Sequence, residues 1–249
     1  MYPKKQILIG LALIFSLSFF GYSESFFELS RSVSSARKLA LNNKKNETIS
    51  FDDTGLDLSG LMLEAVPEKI LNFNNLIFLN LSGNRIALND SDCALLSQME
   101  KIIEISFVAN NLSKIPDNIG LLSENADLKM LSFSGNPISN VSRRINDLKS
   151  VRSMDFSFCS MKMIPQPILE NANIHYLFLS FNKLPSIPSF LKMEELKVLD
   201  LSNNPLNGVD LNVELLPPAL TELNLKQTGV SKDSIVAVSK ARPNLKILY

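Results

Sequence analysis

The chain has 249 residues, of which 25 are basic and 25 are acidic, so its formal net charge is zero. A balanced charge gives no electrostatic basis for nucleic-acid binding, and a hydrophobic content of 45% excludes an intrinsically disordered chain. With one histidine and two cysteines, the sequence offers no ligand cluster for a metal ion, and no cofactor is expected.

Residues 1–23 have the pattern of a secretory signal peptide. Lys4 and Lys5 precede an apolar run of 14 residues, Ile7 to Phe20, and residues 21–23 resemble a cleavage region. We expect cleavage after Ser23 and a secreted, periplasmic or outer-surface location for a mature chain without a membrane span. The alternative is an uncleaved membrane anchor, although the apolar run is shorter than the ~20 residues that a spanning helix needs.

Residues 24–52 are expected to cap the N-terminal end of the domain that follows. Between Ser25 and Leu41, apolar residues recur near one helical face, which predicts an amphipathic capping helix. These residues are Phe26, Leu29, Val33, Ala36 and Ala40. A short edge strand is predicted next, from about Thr48 to Phe51.

An eleven-residue phrase then recurs along the rest of the chain. Its ninth residues lie 22–26 positions apart, and they are Leu61, Asn84, Asn110, Asn136, Cys159, Asn182, Asn204 and Thr228. A weak first copy, LDLSGLML from Leu56, precedes seven full copies: LIFLNLSGNRI from Leu76, IIEISFVANNL from Ile102, LKMLSFSGNPI from Leu128, VRSMDFSFCSM from Val151, IHYLFLSFNKL from Ile174, LKVLDLSNNPL from Leu196 and LTELNLKQTGV from Leu220.

The phrase reads L-x-x-L-x-L-x-x-N-x-L, and it resembles the leucine-rich repeat family, whose period is about 20–29 residues. The resemblance implies an α/β fold. In such a solenoid a curved parallel β-sheet forms the concave face, short helices or 3-10 turns form the convex face, and a helix caps the N-terminal end. The repeats are assigned to residues 53–230, and residues 231–249 form a C-terminal cap.

Each phrase begins with a short strand, in which side chains alternate between the two faces of the sheet. The fourth and sixth residues therefore point into the core, and the third and fifth point to the concave face. The ninth asparagine turns the chain, and stacked copies are expected to form a hydrogen-bonded ladder with buried backbone groups. The seventh residue is mostly serine, which we interpret as part of the scaffold.

Return segments between the strands share an apolar-proline pair, as in KIPDNIGLL from Lys114. Proline stiffens the return, and the spacing that follows suits a brief helix or 3-10 turn. This form resembles the bacterial and typical classes of the repeat. The segment Ala87 to Ile102 lacks the proline and predicts a fuller helix. A helix is also predicted from Ser231, its N-cap, to Ala241, and a last edge strand within Pro243 to Tyr249.

Cys93 and Cys159 are predicted to stay unpaired. At a strand spacing of ~4.8 Å per repeat, the two residues lie at levels about 14 Å apart, which exceeds the reach of a disulfide. No histidine follows either cysteine closely enough to indicate an activated thiolate.

Aromatic and acidic side chains on the concave face are not explained by the repeat pattern. Exposed aromatic clusters are typical of binding sites; the alternative is that these rings lie flat against the sheet or beneath a cap. We predict a protein-binding site with an acidic rim, to which Glu104 and Glu222 contribute. Its residues are Phe78, Met130, Asp155, Phe158, Tyr176, Phe178, Phe181, Val198 and Asp200.

The sequence therefore predicts a non-enzymatic module that binds a protein ligand through its concave face. Resemblance to secreted repeat proteins of pathogenic bacteria suggests a host extracellular protein as that ligand. Asp155 and Asp200 flank Phe178 without a cleft-forming domain, and the lone His175 points away from the concave columns, so no catalytic pair or triad is expected. The alternative function is envelope structure or self-assembly, including a homodimer through the C-terminal edge strand.

Overall fold

The computed structural model describes Ala36 and residues 49–249. Eleven strands occur in these residues: β1 (Gly55–Asp57), β2 (Phe78–Asn80), β3 (Glu104–Ser106), β4 (Lys114–Ile115), β5 (Met130–Ser132), β6 (Asn140–Val141), β7 (Ser153–Asp155), β8 (Tyr176–Phe178), β9 (Val198–Asp200), β10 (Glu222–Asn224) and β11 (Lys246–Leu248). Nine form one parallel sheet in the order β1-β2-β3-β5-β7-β8-β9-β10-β11, and β4 pairs with β6.

The sheet has the register that the repeat predicts. Every strand of the large sheet up to β10 covers the third to fifth residues of one phrase, and equivalent positions pair directly, as Leu79 does with Ile105 and Leu177 does with Leu199. The strand predicted near the C-terminus is present as β11, which pairs with β10. The α/β leucine-rich repeat solenoid is therefore confirmed.

Short helices form the side of the solenoid opposite the large sheet. They are 3-10 helices at Glu68–Asn72, Asp117–Glu124, Arg143–Asp147 and Val213–Leu215, and α-helices at Asp90–Ser97 and Gln166–Leu169. The helix predicted after Ile86 is confirmed with shorter bounds. It begins with a capping box in which the side chains of Asn89 and Asp92 each accept the other's backbone N–H. Residues 186–191, with the sequence SIPSFL, form no helix.

The core lies between the sheet and these helices. Fourth- and sixth-position residues such as Leu79, Leu131 and Leu177 are fully buried or nearly so. At the sixth position, Phe107, Phe133 and Phe156 stack in one column, with ring centroids 5.6 and 5.4 Å apart. This column joins three consecutive repeats by aromatic contact as well as by burial.

The predicted asparagine ladder is present, and every bond between repeats points toward the preceding one. Asn136 donates from Nδ2 to the carbonyl of Phe107, 2.9 Å away, and its Oδ1 accepts the backbone N–H groups of Asn110 and Leu112 at 2.8 and 2.9 Å. Each asparagine thereby satisfies buried backbone groups that the preceding turn leaves open.

Beyond the first repeat, whose ninth residue is Leu61, two ladder positions lack this asparagine, and the turn before each one adjusts. Cys159 donates to the carbonyl of Phe133, and its sulfur, a weaker acceptor than an amide oxygen, faces the backbone N–H groups of Asn136 and Ile138. The N–H of Ile138 binds the carbonyl of Asn136 at 2.7 Å, and in the turn before Thr228 the N–H of Leu206 likewise binds the carbonyl of Asn204 at 2.9 Å. These i to i−2 bonds are inverse γ-turn contacts at places where the ladder supplies no amide oxygen.

The C-terminal cap agrees with the sequence. The helix Lys232–Ala241 begins at Ser231, whose hydroxyl accepts the N–H of Ser234, and Ile235 and Val238 are buried. The predicted edge strand before β1 is wrong in the described residues. There, the N–H of Ser50 binds the Asp53 carboxylate, the N–H of Asp53 binds the Ser50 carbonyl, and Phe51 lies in a turn.

The predicted signal peptide and nearly all of the predicted capping helix lie outside the described residues. Ala36 is the exception. It is helical, as predicted, and it is buried beside Phe78 and Ile77.

Candidate protein-binding site

The structure brings the predicted apolar residues of the concave face together. Tyr176 pairs directly with Val198 across adjacent strands, and Phe178 lies between Asp155 and Asp200 in the same register. Met130, Tyr176, Phe178 and Val198 form one cluster. The second-position residues Ile77 and Ile103 pack against it.

The prediction that these side chains face solvent is wrong. Tyr176 is 3% exposed and Phe178 is 1% exposed, while Met130 and Val198 are equally buried. Phe78 is buried as well, in a separate cluster with Ala36. Alternation along a strand fixes which face a side chain takes, but it does not determine whether that face is covered.

The predicted acidic rim is also wrong, because its carboxylates are buried and two of them hold the backbone. Asp155 and Asp200 each accept the N–H of the residue two positions later, Ser157 or Ser202, at 2.8 Å. Asp57, Asn80 and Asn224 make the same bond in their repeats. These are Asx-turn contacts that end the strand. Glu104 and Glu222 are buried too.

Burial has an electrostatic consequence at Asp155. Desolvation raises the pKa of this carboxyl, because the charged form is disfavoured away from water. Hydrogen bonds from Ser157 and Ser132 lower the pKa, and the neighbouring charge of Asp200 raises it further. The carboxyl therefore costs stability when it is ionised.

Phe158 and Phe181 remain accessible. The two rings belong to adjacent repeats and stack with centroids 4.2 Å apart and planes at 9°. Phe181 is 45% exposed and Phe158 is partly exposed, so the pair presents apolar surface in the turns that follow β7 and β8. We call these two residues the phenylalanine pair.

The backbone beneath the phenylalanine pair is left-handed. Phe158 has a φ of 57° and Phe181 a φ of 55°. The eighth position is left-handed in every repeat, and its other occupants are Gly60, Gly83, Ala109, Gly135, Asn203 and Gln227. Left-handed geometry costs a residue with a side chain roughly 1–2 kcal/mol, so a bulky aromatic ring is an unfavourable choice there. The repeat phrase could have shown this, since glycine occupies the column three times and asparagine once.

The described residues contain no cluster of three or more histidine, cysteine or acidic side chains that could hold a metal ion. His175 lies 3.9 Å from Glu195, and its pKa is lowered by burial first and then by Lys197 and Arg152. Cys93 and Cys159 are buried and free, as predicted, and burial raises the pKa of both thiols to about 12.

Among residues 49–249, no helix has both the length and the apolar character needed to cross a bilayer.

Comparison with known proteins supports the leucine-rich repeat. A family model described as Leucine Rich Repeat matches residues 195–223. Tsukushi-A of Xenopus laevis is 31% identical over 187 residues, which cover 72% of this chain and 51% of Tsukushi-A. The human PH domain leucine-rich repeat-containing protein phosphatase 1 is 28% identical over 157 residues, covering 63% of this chain and 9% of the phosphatase. The chain thus spans about half of the first protein and about a tenth of the second.

Solved structures share the fold at lower identity. An internalin C2 from Listeria monocytogenes has a TM-score of 0.55 at 22% identity, covering 82% of this chain and 87% of the internalin. A TLR13–ssRNA13 complex has a TM-score of 0.57 at 23% identity, covering 74% of this chain and 26% of the TLR13 chain. Both likenesses agree with the curved parallel-sheet solenoid.

Proposed function

We propose that this leucine-rich repeat chain is a non-enzymatic protein-binding module, and that a protein ligand contacts it at the phenylalanine pair. One observation carries the proposal: two exposed, stacked aromatic rings occupy left-handed positions where three other repeats carry glycine. Exposed aromatic side chains are enriched among residues that contribute most to protein binding.

The energetics of the pair support a role beyond folding. Each left-handed phenylalanine costs roughly 1–2 kcal/mol, whereas one aromatic stack returns only about 0.5–1.5 kcal/mol. Glycine or asparagine would fit the same backbone with less strain. A protein partner that covers the exposed ring of Phe181 would remove apolar surface from water, and this burial would stabilise the complex.

The predicted signal peptide supports a ligand outside the cell. The leader pattern of residues 1–23 is typical of a secreted chain, and the I-P-x-x-I return segments resemble the bacterial class of the repeat. We therefore propose a bacterial surface or secreted protein whose ligand is a host extracellular protein. The relatives compared above by sequence are eukaryotic, so the bacterial origin rests on the sequence pattern alone.

The test is a double substitution, Phe158→Asn with Phe181→Asn. Asparagine already occupies this left-handed position at Asn203, so the solenoid is expected to keep its circular dichroism spectrum and its melting temperature, or to gain slightly. Capture of host plasma and matrix proteins on the immobilised chain should fall at least about tenfold, which corresponds to the loss of one hot spot.

A matched control is the pair Met163→Ser with Leu191→Ser. Both residues are exposed and apolar, but neither belongs to the phenylalanine pair. This control should retain capture. Equal capture by the asparagine double variant and the wild type would refute the proposal. The pair Tyr176→Ala with Phe178→Ala is less informative, because a buried phenylalanine truncation costs about 3–5 kcal/mol and confounds binding with folding.

Self-assembly is the alternative function, and the edge of the sheet favours it. In the described sheet, β11 has a strand neighbour on one side only, β10. A strand in that position can pair with a second copy. Light scattering over a range of concentrations distinguishes the two functions, because a monomer at every concentration contradicts self-assembly.

A further inference from the structure

Gly55 occupies a concave position where every other repeat carries a side chain. The third-position residues that follow are Phe78, Glu104, Met130, Ser153, Tyr176, Val198 and Glu222. Unlike the glycines of the eighth position, Gly55 has no left-handed φ. Its lack of a side chain therefore needs an explanation other than backbone geometry. A glycine in a strand often marks close approach of another backbone.

The backbone that approaches Gly55 is that of Ala36. A Cβ on Gly55 would clash with the carbonyl oxygen of Ala36, and it would lie 2.6 Å from the carbonyl carbon and 3.2 Å from the Cα. Real side chains do not tolerate such contacts with a backbone. The chain at Ala36 therefore lies directly over the concave side of β1.

Burial around this contact shows that it is a packed interface. Ala36 is itself buried, and it forms a cluster with Phe78 of β2, against which Ile77 packs. Asp57 and Glu104, which share the concave side of β1 and β3, are buried as well.

The segment around Ala36 is complementary in charge to the concave face at the β1 end. Ser25–Leu41 has three basic residues, Arg31, Arg37 and Lys38, and one acidic residue, Glu28. At this end of the large sheet, the third and fifth positions of β1, β2 and β3 include two carboxylates, Asp57 and Glu104, and no basic residue. The same segment contains the apolar residues Phe26, Leu29 and Val33.

We propose that the β1 end of the concave face is a docking site for this chain's own segment Ser25–Leu41, with Ala36 seated on Gly55 and Phe78. The segment is thus a competitor for any ligand that approaches this end of the face. This inference is independent of the phenylalanine pair, because it concerns an intramolecular contact that needs no ligand.

The test is Gly55→Ala in the full chain, read by trypsin cleavage after Arg31, Arg37 and Lys38. The added methyl group would clash with the backbone of Ala36 and displace it from β1. Cleavage at these sites should therefore accelerate at least about tenfold, as expected for loss of a protecting contact. The control is Gly120→Ala, whose added Cβ would meet only side-chain atoms of Arg144 and Asp147. Equal cleavage of the wild type and the two variants would overturn the proposal.

A second measurement on the wild-type chain does not depend on how Gly55→Ala folds. Hydrogen exchange of peptides covering Ser25–Leu41 should be slowed at least about a hundredfold relative to an unstructured peptide, because a docked helix opens only rarely. Exchange at the rate of an unstructured peptide would contradict docking, whatever the variant does.

Discussion

Cys159 is the residue at which the asparagine ladder has sulfur in place of an amide oxygen. The Cys159→Asn variant should supply an Oδ1 for the N–H of Asn136, as Asn136 does for Asn110, while Nδ2 keeps the bond to the Phe133 carbonyl. We expect a gain of about 1 kcal/mol in the free energy of unfolding, the usual net value of one hydrogen bond. Urea unfolding measures it. Cys159→Ala, which adds no acceptor, should give no gain, and an equal gain in both variants would contradict the explanation.

Asp155 illustrates how a buried side chain can serve the backbone and still carry an electrostatic cost. Its pKa is raised in the folded state, so the folded chain binds this proton more tightly than the unfolded chain does. The cost of the charge is present above the raised pKa and disappears as the pH falls below the unfolded value, about 3.9.

Asp155→Asn should therefore raise stability at pH 7 and lose that advantage as the pH falls toward 4. The amide oxygen can still accept the N–H of Ser157, as Asn80 accepts that of Ser82. Urea midpoints at several pH values measure the difference. Asp210→Asn makes the same change in charge at an exposed site and should show no such trend. A stabilisation that is constant with pH would show that the buried charge is not its cause.

At the scale of the element, the helix Asp90–Ser97 depends on one carboxylate. Asp92 accepts the N–H of Asn89 at 3.0 Å through one oxygen and the N–H of Val66, in the preceding repeat, at 2.7 Å through the other. Asp92→Ala removes the capping box and leaves a buried N–H unpaired, so we expect a loss of about 2–3 kcal/mol. Asp90→Ala, in the same helical turn but exposed, should cost about 0.5 kcal/mol or less. Thermal unfolding compares the two, and similar losses would contradict the bridging role.

Elements also show where the sequence was informative. The phrase specified the ladder and every strand of the large sheet up to β10, because each depends on contacts within one repeat or between neighbours. The N-cap at Ser231 specified the C-terminal helix, whereas the pair β4 and β6 was not predicted. It did not specify the burial of Tyr176 and Phe178, since alternation assigns a face and not its cover. The Asx-turn role of Asp155 was missed although the recurring fifth-position Asp or Asn followed two residues later by serine was visible. The aromatic column from Phe107 to Phe156 depends on three rings adopting compatible rotamers, which no single repeat encodes.

Across the whole molecule, the two thiols are probes of how the solenoid opens. With pKa values near 12, Cys93 and Cys159 should resist alkylation at pH 8 in the folded chain. The turn before Cys159 has sulfur instead of an amide oxygen as its ladder acceptor, whereas asparagines complete the ladder on both sides of Cys93. Single-cysteine variants should therefore show Cys159 alkylated at a lower urea concentration than Cys93. Simultaneous or reversed labelling would mean that the ladder does not govern local opening.

The backward direction of the ladder has a consequence for the order in which the chain is made. Asn136 completes the turn at Asn110 and Leu112 in the repeat before it. During synthesis on the ribosome, the backbone N–H groups of each turn therefore remain unpaired until the next repeat has been made. A nascent chain always has one unfinished turn at its growing end, and finished turns lie behind it. Repeats removed from the N-terminal side leave no such turn unfinished, whereas a cut after Leu112 leaves the turn at Asn110 without its acceptor.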